Sequence, residues 1–378
     1  MTALIRARID AGALQHNLAR LRELAPRSRV MAVVKANAYG HGLVATARIL
    51  QAADALAVAR LEEGVLLREA GIRNRIVLLE GVLDAAQLAE AAHHRFELVV
   101  HEPGAVALLQ AWRGEHRFEL WLKVDTGMNR LGFRPEQAAG VWQTLLEQRP
   151  RALRLMTHLA AADDPGAAQV ALQMARFEPL RSGLAGAAAA AGAPAGSSAG
   201  AAATRTEVSI ANSAAVLRLP ALHADWIRPG IALYGVSPFE GNTGAAHGLR
   251  AAMRLESTVI ALRDVPEGET VGYAGRWRAA RATRLAVIAA GYGDGLLRSF
   301  PDGTPVLVNG QRAPLAGRVS MDMIAVDVTD QPPVQVGDVA QIWGGELPVE
   351  QQAAAAGTIA YELLCSVRQR VPRSYERG

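Results

Sequence analysis

The sequence predicts an α/β protein, in which a (β/α)8 barrel of the TIM type is followed by a C-terminal, mainly β domain. Short apolar runs rich in β-branched residues alternate with longer segments of helical period from residue 30 to about 234. Eight such runs can be counted, which is the strand number of a TIM barrel. After about residue 240 the pattern changes to short strands separated by turn residues.

The eight apolar runs are the candidate barrel strands. Helix-like stretches such as ARLEEGVLLREAG lie between them, and we expect the first helix to begin near Asp10, a residue type that favours the N-cap. A doubly wound open sheet is the alternative, but it would rarely have eight parallel strands without a Gly-rich dinucleotide turn. The runs are VMAVVK (30–35), ALAVA (55–59), IVLLEG (76–81), ELVVHE (97–102), ELWLKVD (119–125), LRLMTHL (153–159), EVSIAN (207–212) and DWIRPGIALYG (225–235).

Turn chemistry marks the second domain. Asn309-Gly310 lies between two short strand-like runs and is typical of a β-hairpin. Loop residues around position 240 suggest the boundary, so we assign residues 9–240 to the barrel and residues 241–378 to the β domain. We expect residues 1–8 to join the β domain as a strand.

One segment, residues 183–206, fits neither pattern because it consists almost entirely of Ala, Gly, Ser and Pro. It offers too little apolar area to offset the entropy of ordering. We therefore predict a mobile insertion there, with a functional lid as the alternative.

Composition limits the function classes. Half of the 378 residues are hydrophobic and a fifth are charged, as in a soluble globular protein. The net charge is only +4 and the arginines are scattered, so a nucleic-acid partner is not expected. Apolar stretches long enough for a membrane span or a signal peptide are missing, which predicts a cytoplasmic protein. The single cysteine, Cys365, excludes an intrachain disulfide; its apolar helical context favours buried packing over catalysis, and no metal site is predicted.

TIM-barrel enzymes build their sites at the C-terminal ends of the strands, where this sequence places several polar residues. Lys35 ends the first apolar run, and it is either a lysine reaching solvent or an amine that forms a Schiff base. Ser213 and Gly230 follow the seventh and eighth strands, where such barrels commonly bind phosphate. A lysine combined with a phosphate site indicates pyridoxal phosphate (PLP) as the cofactor.

Nine motifs together resemble the alanine racemases, in order and over essentially the whole chain. The resemblance implies a bacterial PLP-dependent isomerase that interconverts L- and D-alanine, for peptidoglycan synthesis or alanine catabolism. It also implies a homodimer whose active sites are each completed by the β domain of the partner subunit. The motifs are VVKANAYGHG, DTGMNRLGF, MTHLAAAD, ANSAA, WIRPGIALYG, VGYAGRW, AAGYGDG, RVSMDM and RVPRSY.

By position, the resemblance implies that Lys35 bonds the cofactor and is the base for D-alanine, and that Tyr273, from the other subunit, is the opposing base for L-alanine. Arg228 is similar to the residue that donates to the pyridine nitrogen, and His158 to the residue that orients Arg228 and Tyr273. The remaining residues similar to cofactor-binding positions are Tyr39, Asn212, Ser213, Gly230, Ile231 and Tyr361.

The substrate positions are carried over in the same way. Arg130 and the amide of Met321 match groups that contact the alanine carboxylate, and Tyr292 matches a gate residue that keeps the pocket small. Lys123 matches a position that is carbamylated in some members, where the added carboxylate would pair with Arg130. An unmodified lysine there would repel Arg130, so we expect carbamylation or a bound anion.

Three other functions share parts of this sequence pattern, and only a racemase of different specificity stays partly open. A PLP-barrel decarboxylase would share the barrel and lysine, but would be expected to have a Gly-rich phosphate loop and a catalytic cysteine. A racemase for another amino acid, such as serine, would share nearly all of the pocket. A non-catalytic PLP carrier would lack the β domain, so residues 241–378 and Tyr273 argue against that function.

Overall fold

The computed structural model describes residues 3–164, 166–190 and 206–376, with the backbone alone for 185–190. By packing, the described chain divides into two compact units. The barrel unit comprises residues 18–36 and 43–230, and the β unit comprises the described parts of 1–17, 37–42 and 231–378.

The first elements are strand β1 (Arg6–Asp10) and helix α1 (Ala11–Leu24). The helix begins directly after Asp10, whose carboxylate accepts a hydrogen bond from the amide of Ala13 at 2.9 Å. Asp10 thus satisfies an amide of the first turn, as the sequence predicts.

The next eight strands close into a parallel barrel, which confirms the predicted fold class. Their side chains are almost entirely buried, as expected for parallel strands covered on both faces. The strands are β2 (Arg29–Val33), β3 (Ala55–Val58), β4 (Ile76–Leu78), β5 (Glu97–Val100), β6 (Glu119–Lys123), β7 (Ala152–Met156), β8 (Val208–Asn212) and β9 (Trp226–Arg228).

Helices lie between the barrel strands in the predicted alternation. The helices are α2 (Lys35–Tyr39), α3 (Leu43–Ile49), α4 (Leu61–Glu69), α5 (Ala85–His93), α6 (Pro103–Ala111), α7 (Pro135–Glu147), α8 (Gln169–Ala190) and α9 (Ser213–Arg218). The predicted insertion at 183–206 begins inside α8, because its first residues continue that helix; residues 191–205 lie outside the described residues.

The β unit is built on an eight-stranded sheet. The order β15-β14-β17-β10-β1-β18 forms its main path, and β13 joins β10 to β16. Asn309 and Gly310 connect β14 and β15 with φ angles of 50° and 80°, as a type I′ hairpin turn requires. Strands β11 and β12 pair separately. The strands are β10 (Met253–Val265), β11 (Thr270–Val271), β12 (Trp277–Arg278), β13 (Thr283–Ile288), β14 (Pro305–Val308), β15 (Gln311–Pro314), β16 (Ile324–Asp327), β17 (Val339–Trp343) and β18 (Arg373–Glu376).

Two helices complete this unit, α10 (Val349–Ala356) and α11 (Ala360–Ser366). Cys365 lies in α11 as expected, but it is exposed, so the prediction that it is buried was wrong. The reason is helical geometry, because α11 buries the adjacent Leu363 and Leu364 and turns position 365 outward.

The two units divide between residues 230 and 231, earlier than the boundary near 240 that the sequence suggested. The eighth apolar run forms a strand only up to Arg228, and Ile231–Tyr234 is a short 3-10 helix. That helix packs in the β unit, where the carbonyl of Tyr234 accepts from the amide of Ala252 at 3.0 Å.

A network of ion pairs closes the N-terminal end of the barrel. Arg154 contacts Glu207 at 2.6 Å and Glu119 at 2.9 Å, and Arg75 contacts Glu97 at 2.5 Å and Glu119 at 2.7 Å. Two tryptophan side chains, Trp121 and Trp226, donate to carboxylates of the network. We call this set the barrel-floor network: Arg29, Arg75, Glu97, Glu119, Arg154 and Glu207.

None of the described helices is long and apolar enough to cross a bilayer.

Candidate active site

The segment after β2 is a left-handed helical turn. Ala36, Asn37 and Ala38 have φ angles of 54° and Tyr39 has 50°, although none of them is glycine. This conformation costs roughly 1–2 kcal/mol per residue, because Cβ crowds the following carbonyl oxygen. Strain of this kind is held in place by its surroundings and concentrates at functional sites. The turn begins at Lys35 and ends at Tyr39, so it fixes the backbone of both predicted site residues.

Lys35 and Lys123 are the only two lysines in the sequence, and both lie at the C-terminal ends of barrel strands. Their side chains are half-buried, and the charge of Lys35 contributes to lowering the pKa of Lys123. Because every other basic side chain is arginine or histidine, the lysine count alone could have singled out both residues.

The environment of Lys123 disfavours its protonated form. Burial is the largest cause and lowers its pKa to about 7, and the charges of Arg228 and Arg130 act in the same direction. Asp125 opposes them. The amine is therefore substantially neutral near pH 7, which is the state in which an amine acts as a nucleophile.

Arg228 is 5% exposed and anchored by the ends of the neighbouring strands. Its Nη1 donates to Ser209 Oγ at 2.5 Å, and its Nη2 donates to the carbonyl of Thr157 at 2.6 Å. Burial lowers its pKa to about 10, so the guanidinium still carries its charge at neutral pH. These bonds use the terminal nitrogens, while Nε makes none with the residues described here. Sequence reasoning missed Ser209 and Thr157, which are small polar residues inside apolar runs.

His158 lies beside Arg228. Its Nδ1 is 3.4 Å from Nη2 of Arg228, and an acceptor there requires the neutral tautomer with the proton on Nε2. Burial, followed by the charges of Arg228 and Lys123, holds the pKa of His158 well below its ordinary value. His158 is thus a neutral acceptor at physiological pH.

Two polar groups meet after strands β8 and β9. The amide of Gly230 donates to Ser213 Oγ at 2.9 Å, and Ser213 is buried. Asn212 fixes the start of α9, because its side chain accepts from the amide of Ala215 at 3.1 Å. Both groups are hydrogen-bond donors, so an oxyanion that displaced their mutual bond could accept from each.

In the β unit, the predicted phosphate-contacting tyrosines lie together. The ring of Tyr39 stacks on Tyr234 at 4.8 Å between centroids and lies 6.0 Å from the ring of Tyr361. Burial raises the pKa of Tyr39, so its hydroxyl is a hydrogen-bond donor at any physiological pH. Ile231, also predicted, is fully buried.

Tyr273 and Met321 are exposed, with 65% and 53% of their surfaces accessible. The loops that carry them are neighbours, since a Cβ on Gly272 would lie 3.6 Å from the amide nitrogen of Arg318. Tyr292 is half-buried, and its amide donates to the carbonyl of Ser320 in the same loop region at 3.0 Å.

Two family models match the chain, one described as "Alanine racemase, N-terminal domain" over residues 9–238 and the other as "Alanine racemase, C-terminal domain" over residues 252–375. The alanine racemase of Nitrosococcus oceani is 48% identical over 370 residues, which cover 97% of this chain and 98% of that protein. The alanine racemase of Yersinia pestis is 46% identical and covers 97% of both chains.

Solved structures give the same result. The biosynthetic alanine racemase from Pseudomonas aeruginosa matches with a TM-score of 0.90 at 41% identity and covers 100% of both chains. The alanine racemase from Bacillus anthracis with bound L-Ala-P matches with a TM-score of 0.84 at 30% identity, covering 100% of this chain and 96% of that one.

Proposed function

The chain belongs to the alanine racemase family, and on that premise we propose that it interconverts L- and D-alanine with PLP bound at the C-terminal ends of the barrel strands. The observation that carries the cofactor proposal is Arg228, a buried cation anchored at the strand ends. Its Nε is the donor we assign to the pyridine nitrogen. The Ser213 hydroxyl and Gly230 amide, which meet at 2.9 Å, suit an oxygen of the phosphate.

PLP supplies one chemical function when bound, because it makes the α-hydrogen of an attached amino acid acidic. Lys35 holds the cofactor and, as an amine, takes or returns a proton at the α-carbon from one face. Tyr273 of the partner subunit acts from the opposite face through its phenolic oxygen. Two bases on opposite faces invert the centre, because a proton removed from one side is replaced on the other.

Arg228 tunes this chemistry through its fixed charge. With a pKa of about 10 it keeps its protons at neutral pH, so it donates to the ring nitrogen without protonating it. By leaving the ring nitrogen unprotonated, Arg228 would keep the bound cofactor a weaker electron acceptor and so disfavour transamination. His158 accepts from Arg228 at 3.4 Å and holds the guanidinium in this orientation.

We assign the alanine carboxylate to Arg130 and to the amide of Met321 of the partner subunit. The exposure of Tyr273 and Met321 supports a homodimer, since aromatic residues and methionine are enriched in protein interfaces. Tyr292 limits the pocket to a small side chain.

We place the enzyme in the bacterial cytoplasm, where it supplies D-alanine for peptidoglycan or serves alanine catabolism. The similar Pseudomonas aeruginosa protein is described as biosynthetic, which favours the first role.

The test is α-deuterium exchange of L-alanine in heavy water with PLP-loaded protein, followed by chiral analysis of the product. We expect deuterium to enter and D-alanine to accumulate towards equal amounts. PLP binding without any exchange of alanine would contradict the proposal, and the same assay with serine distinguishes a racemase of different specificity.

The Tyr273→Phe variant separates the two bases. Removing the phenolic oxygen leaves Lys35 in place, so the visible absorbance of the bound cofactor should persist while most racemisation is lost. Exchange of L-alanine should fall more than exchange of D-alanine, by at least tenfold. An equal loss for both enantiomers would contradict the assignment of opposed bases.

A further inference from the structure

One face of α8 holds the loop that follows β6. Gln169, Gln173 and Arg176 are spaced four and three residues apart, which places them on the same side of the helix. Gln169 Nε2 donates to the carbonyl of Gly127 at 3.0 Å, and Arg176 Nη1 donates to the carbonyl of Thr126 at 3.0 Å. This face therefore satisfies the carbonyl oxygens at the start of the segment that leads to Arg130.

The backbone amides of the same loop donate hydrogen bonds to a side chain at its start, Asp125. One carboxylate oxygen of Asp125 accepts from the amides of Gly127, Met128 and Asn129, at 2.9, 3.0 and 3.0 Å. The loop also requires a close approach, because a Cβ on Gly127 would lie 2.9 Å from Arg176 Nη1. Its backbone is thus fixed from two sides before it reaches Arg130.

Gln173 links this loop to the one that follows β7. Its side chain is fully buried, and Nε2 donates both to Thr126 Oγ1 at 3.1 Å and to the carbonyl of His158 at 2.9 Å. Its Oε1 accepts from the amide of Ala160 at 2.8 Å. The side-chain amide of Gln173 therefore forms hydrogen bonds to the β6 loop at Thr126 and to the β7 loop at His158 and Ala160.

A second contact reinforces the link. The hydroxyls of Thr126 and Thr157 are 2.9 Å apart, and Thr157 Oγ1 donates to the carbonyl of Val124 at 2.9 Å. The carbonyl of Thr157 is also an anchor of Arg228, at 2.6 Å. The position of Gln173 is therefore coupled to Arg130 through one loop and to His158 and Arg228 through the other.

We propose that Gln173 is a positioning residue of the active site, which holds the loops carrying Arg130 and His158 in the register that the alanine carboxylate requires. The inference rests on the proposed function, since the role of Arg130 comes from it. A buried amide costs free energy unless its hydrogen bonds are made, and a buried apolar side chain would avoid that cost. Within the described residues, the side-chain hydrogen bonds of Gln173 all go to these two loops, which indicates a geometric role.

The test compares Gln173→Glu and Gln173→Met with the matched control Glu178→Gln. The Glu variant keeps the size and the acceptor for Ala160 but loses the donations to Thr126 and His158. Glu178 is an exposed residue of the same helix. Its variant replaces a carboxylate by an amide, the reverse of Gln173→Glu, without altering the contacts to the β6 and β7 loops. PLP-loaded proteins are assayed for kcat and KM with both alanine enantiomers, and for amide hydrogen exchange by mass spectrometry.

We expect both Gln173 variants to raise KM for both enantiomers about tenfold or more, with a smaller change in kcat and unchanged cofactor absorbance. Amides of residues 126–131 and 158–160 should exchange faster, while those of the barrel-floor network keep their protection. The control should match the unsubstituted protein in every measurement.

A KM within twofold of the unsubstituted value, in a folded Gln173 variant, overturns the inference. A lower melting temperature with faster exchange throughout the barrel unit and unchanged KM would identify a merely structural role, and overturns it as well. If neither variant folds, Gln169→Leu at the half-buried end of the same face should raise KM severalfold, and an unchanged KM there has the same meaning. Failure of the proposed function is distinct, because unsubstituted PLP-loaded protein would then not racemise alanine at all.

Discussion

At the scale of single residues, Lys123 shows how burial changes chemistry. Its amine lies within the field of three cations and is partly withdrawn from water, so its pKa falls to about 7. A neutral amine can add carbon dioxide through a new nitrogen–carbon bond, and loss of one amine proton to water then leaves the carbamate as an anion. The substitution of a negative for a positive charge removes the repulsion with Arg130 and offers a bidentate partner for its guanidinium.

We therefore expect Lys123 to be carbamylated in bicarbonate buffer, to an extent that increases as the pH rises through about 7. Nuclear magnetic resonance with isotopically labelled bicarbonate should show one carbamate signal. The signal should disappear in Lys123→Ala and persist in Lys35→Ala, which is the matched control because it removes the other lysine. A signal that persists without Lys123 would contradict the assignment.

At the scale of elements, the left-handed turn α2 is held by the chain around it. The ring Nδ1 of the buried His41 lies 2.9 Å from the carbonyl of Tyr39 and 3.1 Å from that of Ala38. The phenol of Tyr375 donates to the carbonyl of His41 at 2.9 Å, and Arg373 Nε donates to that of Gly40 at 2.6 Å. These bonds offset strain that the residues of the turn cannot relieve themselves.

Glycine should be favourable inside this turn. We expect Ala36→Gly to raise the free energy of unfolding by about 0.5–1 kcal/mol, because relief of the left-handed strain exceeds the added entropy of the unfolded chain. The matched control is Ala171→Gly at an exposed position of α8, which should lower it by about 1 kcal/mol. Urea unfolding of both variants gives the comparison. A change in the free energy of unfolding of the same sign in both variants would contradict the strain argument.

The elements also show what sequence can predict. The barrel strands were predictable because β-branched apolar runs end at polar residues, and the hairpin because Asn309-Gly310 favours positive φ. The left-handed turn was not, since Ala and Tyr give no local sign of that conformation. Nor was the role of Gln173, whose bonds join segments distant in sequence. The roles of the site residues remain predictions that rest on resemblance.

At the scale of the barrel, charged side chains lie at both ends of the strands. The barrel-floor network lies at the N-terminal ends of the strands, whereas Lys35, Lys123 and Arg228 lie at the C-terminal ends. Burial raises the pKa of Glu207, but hydrogen bonds from Arg154, Trp226 and Arg29 outweigh it and bring the pKa to about 2. The folded value is below the unfolded value of about 4.3, so this stabilisation is complete above about pH 5 and is lost as the pH falls towards 2.

We expect Arg154→Met to lower the free energy of unfolding at pH 7 by roughly 1.5–3 kcal/mol, the contribution of hydrogen bonds to charged groups. Glu97, Glu119 and Glu207 would lose a buried cation that they share, although Arg75 and Arg29 remain beside them. The dependence of stability on pH between 5 and 2 should become shallower, while kcat and KM stay within twofold. The control Arg151→Met removes an exposed cation whose Nε lies 3.9 Å from Glu119 Oε1. It should lower the free energy of unfolding by less than 1 kcal/mol. Similar losses in the two variants, measured by denaturant titration, would contradict the role of the network.

The two lysines at the strand ends of the barrel are the only lysines in the sequence, and this has a consequence for handling the protein. A protease that cuts only after lysine can open the unfolded chain at just two points, after residues 35 and 123. If Lys35 bonds the cofactor as we propose, fixing that bond by borohydride reduction would block the first cut and leave the first two fragments joined. Peptide mapping on an ordinary gel would then report the fraction of molecules that carry the cofactor, without any assay of turnover.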